Sequence, residues 1–174
     1  MGLWQRLTGR GAENPAASLY AAVVARGRSP HWYEAGEVPD TVEGRFDMIA
    51  SILAIVLLRL ERDAAAAPLS ARLIECFVDD MDGQLRQIGI GDVVVGKHMG
   101  RMMGLVGGRL GAFRDALADD ADPAAFADAL ARNLYRGAPP VRPARDHVEA
   151  GLRAMYAALA PVSLDRLAAG DLPE

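Results

Sequence analysis

The stretch from Gly36 to Leu60 constrains this chain more than any other, because it opens as a turn and becomes the most apolar helix in the sequence. Pro39 stops whatever precedes it and biases Val38 toward an extended backbone. Asp40, Thr41, Val42 and Glu43 then read as a capping box: an acceptor at Asp40, two spacers, and a Glu that reaches back. Such a cap stabilises a helix start by about 1 kcal/mol, which sets register rather than existence. The helix, expected over residues 41–63, comes from Ile49, Ile52, Leu53, Val56 and Leu60, which share one face at helical spacing. Met48, Ile55 and Leu58 carry apolar surface onto the other sides, and a helix that is apolar all round is central and buried.

Arg45 interrupts that pattern, one turn before Ile49 on the same face. A guanidinium keeps its charge in a protein interior and needs carboxylates or carbonyls there. Either its stem packs and its head reaches water, or it pairs with Asp40 or with the acids at Asp79, Asp80 and Asp82. Those acids lie on a helix expected from Pro68 to Ile88 and closed by Gly89, with Leu73, Ile74, Phe77, Met81, Leu85 and Ile88 as its stripe. Asp79 points away from the stripe and suits a basic partner. Asp80 and Asp82 flank it, and one of them is expected to hold Arg45; Asp82 can also pair with Arg86 at i,i+4. A calcium loop is excluded, since the acids follow helical spacing and no distant Glu follows them.

Ile90 to Val95 is briefly β-like but too short for a sheet, so an extended connector is expected before a helix from about Gly96. In that helix Gly96, Gly100, Gly104 and Gly108 recur every four residues, with Gly107 and Gly111 beside them. Each interior Gly costs about 1 kcal/mol relative to Ala, so the row calls for a compensating gain. A line of hydrogens lets another helix, of this chain or of a client, approach to backbone contact. Met99, Met102, Met103, Val106, Leu110 and Phe113 supply the core face; Lys97, Arg101, Arg109 and Arg114 add positive charge, with Lys97 and Arg101 beside the glycines. Partner contacts are therefore expected at Asp79, Lys97, Gly100, Arg101, Gly104 and Gly108, and at Trp32 and Tyr33. These two belong to a loop in which His31, Trp32 and Tyr33 form a contact surface or plug the core. Plugging is read for Trp32 or Tyr33, exposure for His31.

Short helices are expected over Leu19–Arg26 and from Ser163 to Gly170, a further helix from Asp122-Pro123 through Arg136, and a long one from Arg142-Pro143 onward, where Val148, Leu152, Met155, Tyr156 and Leu159 align. Arg59, Glu61, Arg62 and Asp63 mark the wet end of the central helix. Residues 1–17 are read as a flexible segment and 18–174 as one all-α domain, a bundle of about six to seven helices. Within the first segment Leu3, Trp4 and Leu7 with Arg6 and Arg10 suit a weak anchor at an anionic membrane or a frayed terminus.

With 174 residues, 51% of them apolar, the chain has enough material for one core. Its net charge of −4 gives no bulk attraction to nucleic acid, so no DNA partner is expected. The one cysteine, Cys76, rules out an internal disulfide and reads as an inert thiol between Glu75 and Phe77. The N-terminus lacks a signal-peptide core, Arg6 disqualifies a myristoylation motif, and the apolar run is shorter than the ~20 residues a span needs. A cytoplasmic protein is expected. His31, His98 and His147 are scattered along the chain, and no serine elbow, phosphate loop or dinucleotide fingerprint is present. No metal, cofactor or catalysis is therefore expected; the acids around Asp80 offer a general acid/base pair only if they are not spent on Arg45.

Ser29 to Tyr33, the run GEVPDTVEGRFDMI from Gly36, DDMDGQLRQIGIGDVVVGK from Asp79 and RNLYRG from Arg132 resemble the ubiquinol–cytochrome c chaperone family, assembly factors for respiratory complex III. The resemblance runs roughly from Leu19 to the C-terminus and suits a bacterial member. It implies a non-enzymatic, all-α protein that binds newly made cytochrome b, with the ribosome or a small accessory protein as further candidate partners and peripheral contact with the inner membrane as an option. Family members carry bulky, often aromatic residues where this chain has Leu105 to Arg109, and many have a histidine near Ile52. The alternative is a non-catalytic adaptor or structural protein that dimerises through its glycine-rich helix.

Overall fold

The computed structural model describes residues 14–87 and 92–173, apart from the side chains of 85–87, 92–95 and 98. The described residues form an all-α bundle with no strand. The helices are α1 (Ala17–Gly27), α2 (His31–Glu34), α3 (Val42–Leu60), α4 (Ala67–Gln87), α5 (Asp92–Ala116), α6 (Ala125–Asn133), α7 (Arg142–Leu159) and α8 (Leu164–Ala168), with a 3-10 turn at Ala64–Ala66. None of them is long and apolar enough to cross a membrane. The amphipathic N-terminal residues, the Ile88-Gly89 helix end and the Asp82–Arg86 pairing fall outside what is described.

The apolar stretch becomes the axis of the bundle. Every residue from Met48 to Leu58 is buried. α1, α4, α5 and α7 pack around α3, bringing Leu19 and Val23, Leu73 and Phe77, Val106 and Phe113, and Val148 and Leu152 into the same core. α1 approaches α3 to backbone distance at Gly27, where a Cβ would lie 2.9 Å from the Cα of Ile49.

The start of α3 differs by one residue from the capping box expected at Asp40. The N-cap is Thr41, whose Oγ1 accepts from the Gly44 amide at 3.1 Å. Glu43 is then the second helical residue and cannot make the return bond. Asp40 is otherwise engaged: its carboxylate accepts from Arg45 Nε at 2.6 Å. Gly44 has a role of its own, because any Cβ there would run into the Pro39 carbonyl. The turn before α3 closes against the helix only if position 44 has no side chain.

Other boundaries moved for identifiable reasons. Asp92–Val95 are the first turn of α5, not an extended connector; valines gain in a strand only by pairing with a neighbouring one, and the described residues hold none. α6 stops at Asn133 rather than Arg136. Leu134 and Tyr135 turn inward and are buried, and Arg136 and Gly137 take φ values of 51° and 84° to reverse the chain. Trp32 is 2% exposed: its ring lies on α7, 2.8 Å from where a Cβ on Gly151 would stand, and its Nε1 donates to the Arg26 carbonyl at 2.8 Å. It plugs the core, as read for Trp32 or Tyr33, and leaves little of its ring at the surface. Arg59 is not at a wet end either, because it donates to the carbonyls of Leu159 (2.9 Å) and Val162 (2.6 Å) and so closes the C-terminus of α7.

Candidate functional site

The polar groups that the sequence reading did not anticipate lie inside the bundle. Asp47 and Arg109 are each 2% exposed. Arg109 Nη2 donates to Asp47 Oδ1 at 2.8 Å and also to the Asn133 carbonyl; Arg136 Nε donates to Asp47 Oδ2 at 2.6 Å. Burial pushes the Arg109 guanidinium down and Asp47 pulls it back up. Its Nε and Nη1 have no hydrogen-bond partner among the described residues. The Tyr135 hydroxyl donates to the Gly36 carbonyl at 2.7 Å, a buried bond. The stretch from Gly36 and the stretch from Arg132 are thereby tied to each other and, through Arg109, to α5. A signal existed in the sequence: Arg109 falls three residues after Val106 and four before Phe113, on the core face, and Asp47 shares a face with Ser51 and Ala54.

The expected structural residues divide. Arg45 pairs with Asp40 in a half-exposed bridge and lies 5.5 Å from the centre of the Tyr33 ring. The pairing with Asp80 or Asp82 does not form. Asp80 accepts instead from the Tyr20 hydroxyl at 2.6 Å and from Gln84 at 3.0 Å. Tyr20 on α1 reaches Asp80 from the helix packed directly against it, while Arg45 has an acid in its own turn. Burial and Asp80 together push the Tyr20 hydroxyl well above its ordinary range.

Among the expected contact residues, Gly100, Gly104, Gly107 and Gly108 form an exposed face of α5, where an added Cβ would meet no atom of another element within 4 Å. Lys97 and Arg101 are exposed beside them. The opposite face of α5, with Val106, Arg109 and Phe113, is the buried one. Asp79 is exposed on an open groove between α1 and α4 that also holds Ala21, Tyr20 and Cys76. Tyr33 is partly covered, its hydroxyl bonded to the Gly27 carbonyl at 2.6 Å. A separate apolar cleft, which the sequence did not reveal, opens where α1, α3, α4 and α5 meet.

The histidines are less scattered than the sequence implied. His31 Nδ1 and His147 Nε2 stand 3.0 Å apart, joining α2 to α7. Burial, then His147 and Arg26, lower the His31 pKa from its usual value. Cys76 is half-buried, and burial with Asp79 and Glu75 raises its thiol pKa, as expected of an inert thiol. Among the described residues no group of three or more His, Cys, Asp or Glu is placed to hold a metal ion.

The fold and these surfaces define a class: an all-α protein whose buried charges tie helices together and whose open surfaces are an apolar cleft and a glycine-lined helix face. The chain belongs to the ubiquinol–cytochrome c chaperone family, whose model matches residues 34–172. It is also similar to a crystal structure described as that of the Cbp3 homolog from Brucella abortus, with 32% identity and a TM-score of 0.78 over 92% of this chain and 88% of that one. No curated protein matches the chain significantly.

Proposed function

We propose that this protein is an assembly chaperone that holds newly made cytochrome b during biogenesis of the ubiquinol–cytochrome c reductase. Family membership supports the assembly role. The observation that carries the holding is the outer face of α5, where Gly100, Gly104 and Gly108 are bare and Lys97 and Arg101 flank them. A helix of the client can approach such a face to backbone contact, gaining close packing that side chains would prevent. The two cations then meet an acidic or phosphate-flanked end of a membrane segment. Holding requires no chemistry and no cofactor: the client's apolar surface is shielded until its partner subunits arrive. On this reading the protein works in the cytoplasm, in peripheral contact with the inner membrane. Asp79, on its open groove, suits a basic accessory protein or a ribosomal protein.

Co-purification from a detergent extract tests the reading. The tagged protein is expected to recover cytochrome b, and Lys97→Glu/Arg101→Glu and Gly104→Leu are expected to cut recovery by about tenfold, equivalent to ~1.4 kcal/mol. Their melting temperatures should not fall below the parent's, since no described residue packs on that face, and Gly104→Leu should raise its own through helix propensity. A homodimer free of cytochrome b, and indifferent to these changes, favours the adaptor reading.

A further inference from the structure

The C-terminus of α1, the first two turns of α3, the end of α4 and the middle of α5 surround a cleft of about 240 Å³. Phe46, Ile49, Met81 and Met102 line it, and Val42 stands among them with 78% of its surface exposed. Arg28, Arg45 and Gln84 supply the polar lining; none of the described lining residues is an acid. Arg45 is held in place by Asp40 and by the Tyr33 ring, with its Nε engaged and its terminal nitrogens not bonded to another described residue. Arg28 forms no ion pair with a described residue. The cleft is smaller than the ~300–1,000 Å³ of sites that enclose a small molecule, so its size suits one or two side chains of a larger partner. Methionines at its base can adapt to either.

We propose that this cleft docks a peptide segment in which one or two bulky apolar side chains sit beside a carboxylate. The apolar group fills the space over Met81 and Met102, and the carboxylate meets Arg28 and Arg45, whose planar forks suit a carboxylate's two oxygens. Charge complementarity selects the occupant: two guanidiniums, one of them already paired with Asp40, and no acid among the described lining residues disfavour a segment flanked by Lys or Arg. A concave mouth admits a protruding side chain, not a flat bilayer. This contact is separate from the glycine face of α5, and it rests on the chaperone reading only for the identity of the protein that supplies the segment.

The test is selection of short random peptides, displayed on phage, against the full chain. The counter-target is Val42→Trp, whose ring would fill the mouth from an exposed position and leave the melting temperature unchanged. Enriched peptides are expected to carry Phe, Leu, Met or Trp next to Asp or Glu. Their synthetic versions should bind about tenfold more weakly to Val42→Trp and to Arg28→Glu, and a Lys-for-Glu version should regain binding to Arg28→Glu. The proposal is overturned if no peptide is selected, if acids are not enriched, if binding survives Val42→Trp, or if anionic phospholipid vesicles are the only ligand lost in Arg28→Glu. Should cytochrome b co-purify while the peptides fail, the cleft proposal falls alone. Should the peptides behave as expected while no cytochrome b is recovered, the chaperone reading falls and the cleft stands.

Discussion

Asp47→Asn removes the one charge that two arginines share, and the structure sets what that costs. Arg109 is 2% exposed and already has Nε and Nη1 without partners, so after the change its guanidinium keeps the Asn133 carbonyl and an amide in place of a carboxylate. Leaving one buried charge uncompensated costs about 3–5 kcal/mol. Arg136 adds little, because it is 54% exposed and can turn to water, where such pairs contribute at most ~1 kcal/mol. Against a total stability of roughly 5–15 kcal/mol the loss is a large share. At about 2–4 °C per kcal/mol for a chain of this length, the melting temperature should fall by about 6–20 °C. The control is Asp47→Leu/Arg109→Met, which removes both buried charges and should return to within about 1–2 kcal/mol of the parent, since apolar replacements of whole buried pairs are often neutral or better. Urea unfolding followed by far-UV circular dichroism, at low and high salt, measures both variants. A loss under ~1 kcal/mol for Asp47→Asn would mean that the pair is hydrated. A double variant as unstable as the sum of its singles would mean that shape, not charge, is what Asp47 supplies.

Gly44→Ala should destabilise by about 1–3 kcal/mol, the usual cost of overpacking, because its Cβ meets the rigid Pro39 carbonyl; a thermal melt equal to the parent's refutes that contact. Gly104→Ala and Gly108→Ala should each raise stability by up to about 1 kcal/mol, since they restore helix propensity where nothing is crowded. Lower melting temperatures would show that the face is packed. The His31 ring should titrate below the usual ~6.5, with a shift toward that value in His147→Asn that is partial because burial is the larger cause. A lowered folded pKa means that the unfolded chain binds the proton more readily, so the contribution to stability is present above the usual value and is lost as pH falls through the folded one. An NMR titration that puts His31 at or above its usual value overturns the pairing with His147.

What was legible in the sequence was whatever a single helix states about itself. The run from Met48 to Leu58 had no polar face to offer, so its central position followed from periodicity alone. The Ser163 cap and the Arg142-Pro143 start followed from local chemistry in the same way. Partners brought together only by packing were not legible: Asp47 and Arg109 are 62 residues apart, His31 and His147 are 116. Arg45 shows the same limit in reverse, since Asp40 and the acids at Asp79, Asp80 and Asp82 all competed for it on paper; it takes Asp40, while Tyr20, on another helix, engages Asp80. The α5 glycines were visible as a pattern, but their being open depends on which face Val106 and Phe113 bury. The cleft needed four helices in place before it existed.

The residues that make this chain recognisable are largely the ones that hold it together. Trp32, Gly36, Val38, Gly44, Asp47 and Tyr135 all lie in the family-like stretches, and all are buried. Gly36 accepts from Tyr135, Gly44 accommodates Pro39, and Asp47 takes Arg109 and Arg136. Side chains so engaged cannot also grip a client without unfolding the turn that positions α3. On the proposed chaperone reading, client contact falls on surface with little internal duty, and Val42 and the exposed glycine side of α5 meet that condition. In the stretch from Leu105 to Arg109 the two sides of α5 differ: Arg109 points inward to Asp47 while Leu105, Gly107 and Gly108 face out. Substitution on the outward side of that stretch can therefore reshape the exposed face, which the chaperone reading proposes as client contact, without disturbing the ion pair beneath it.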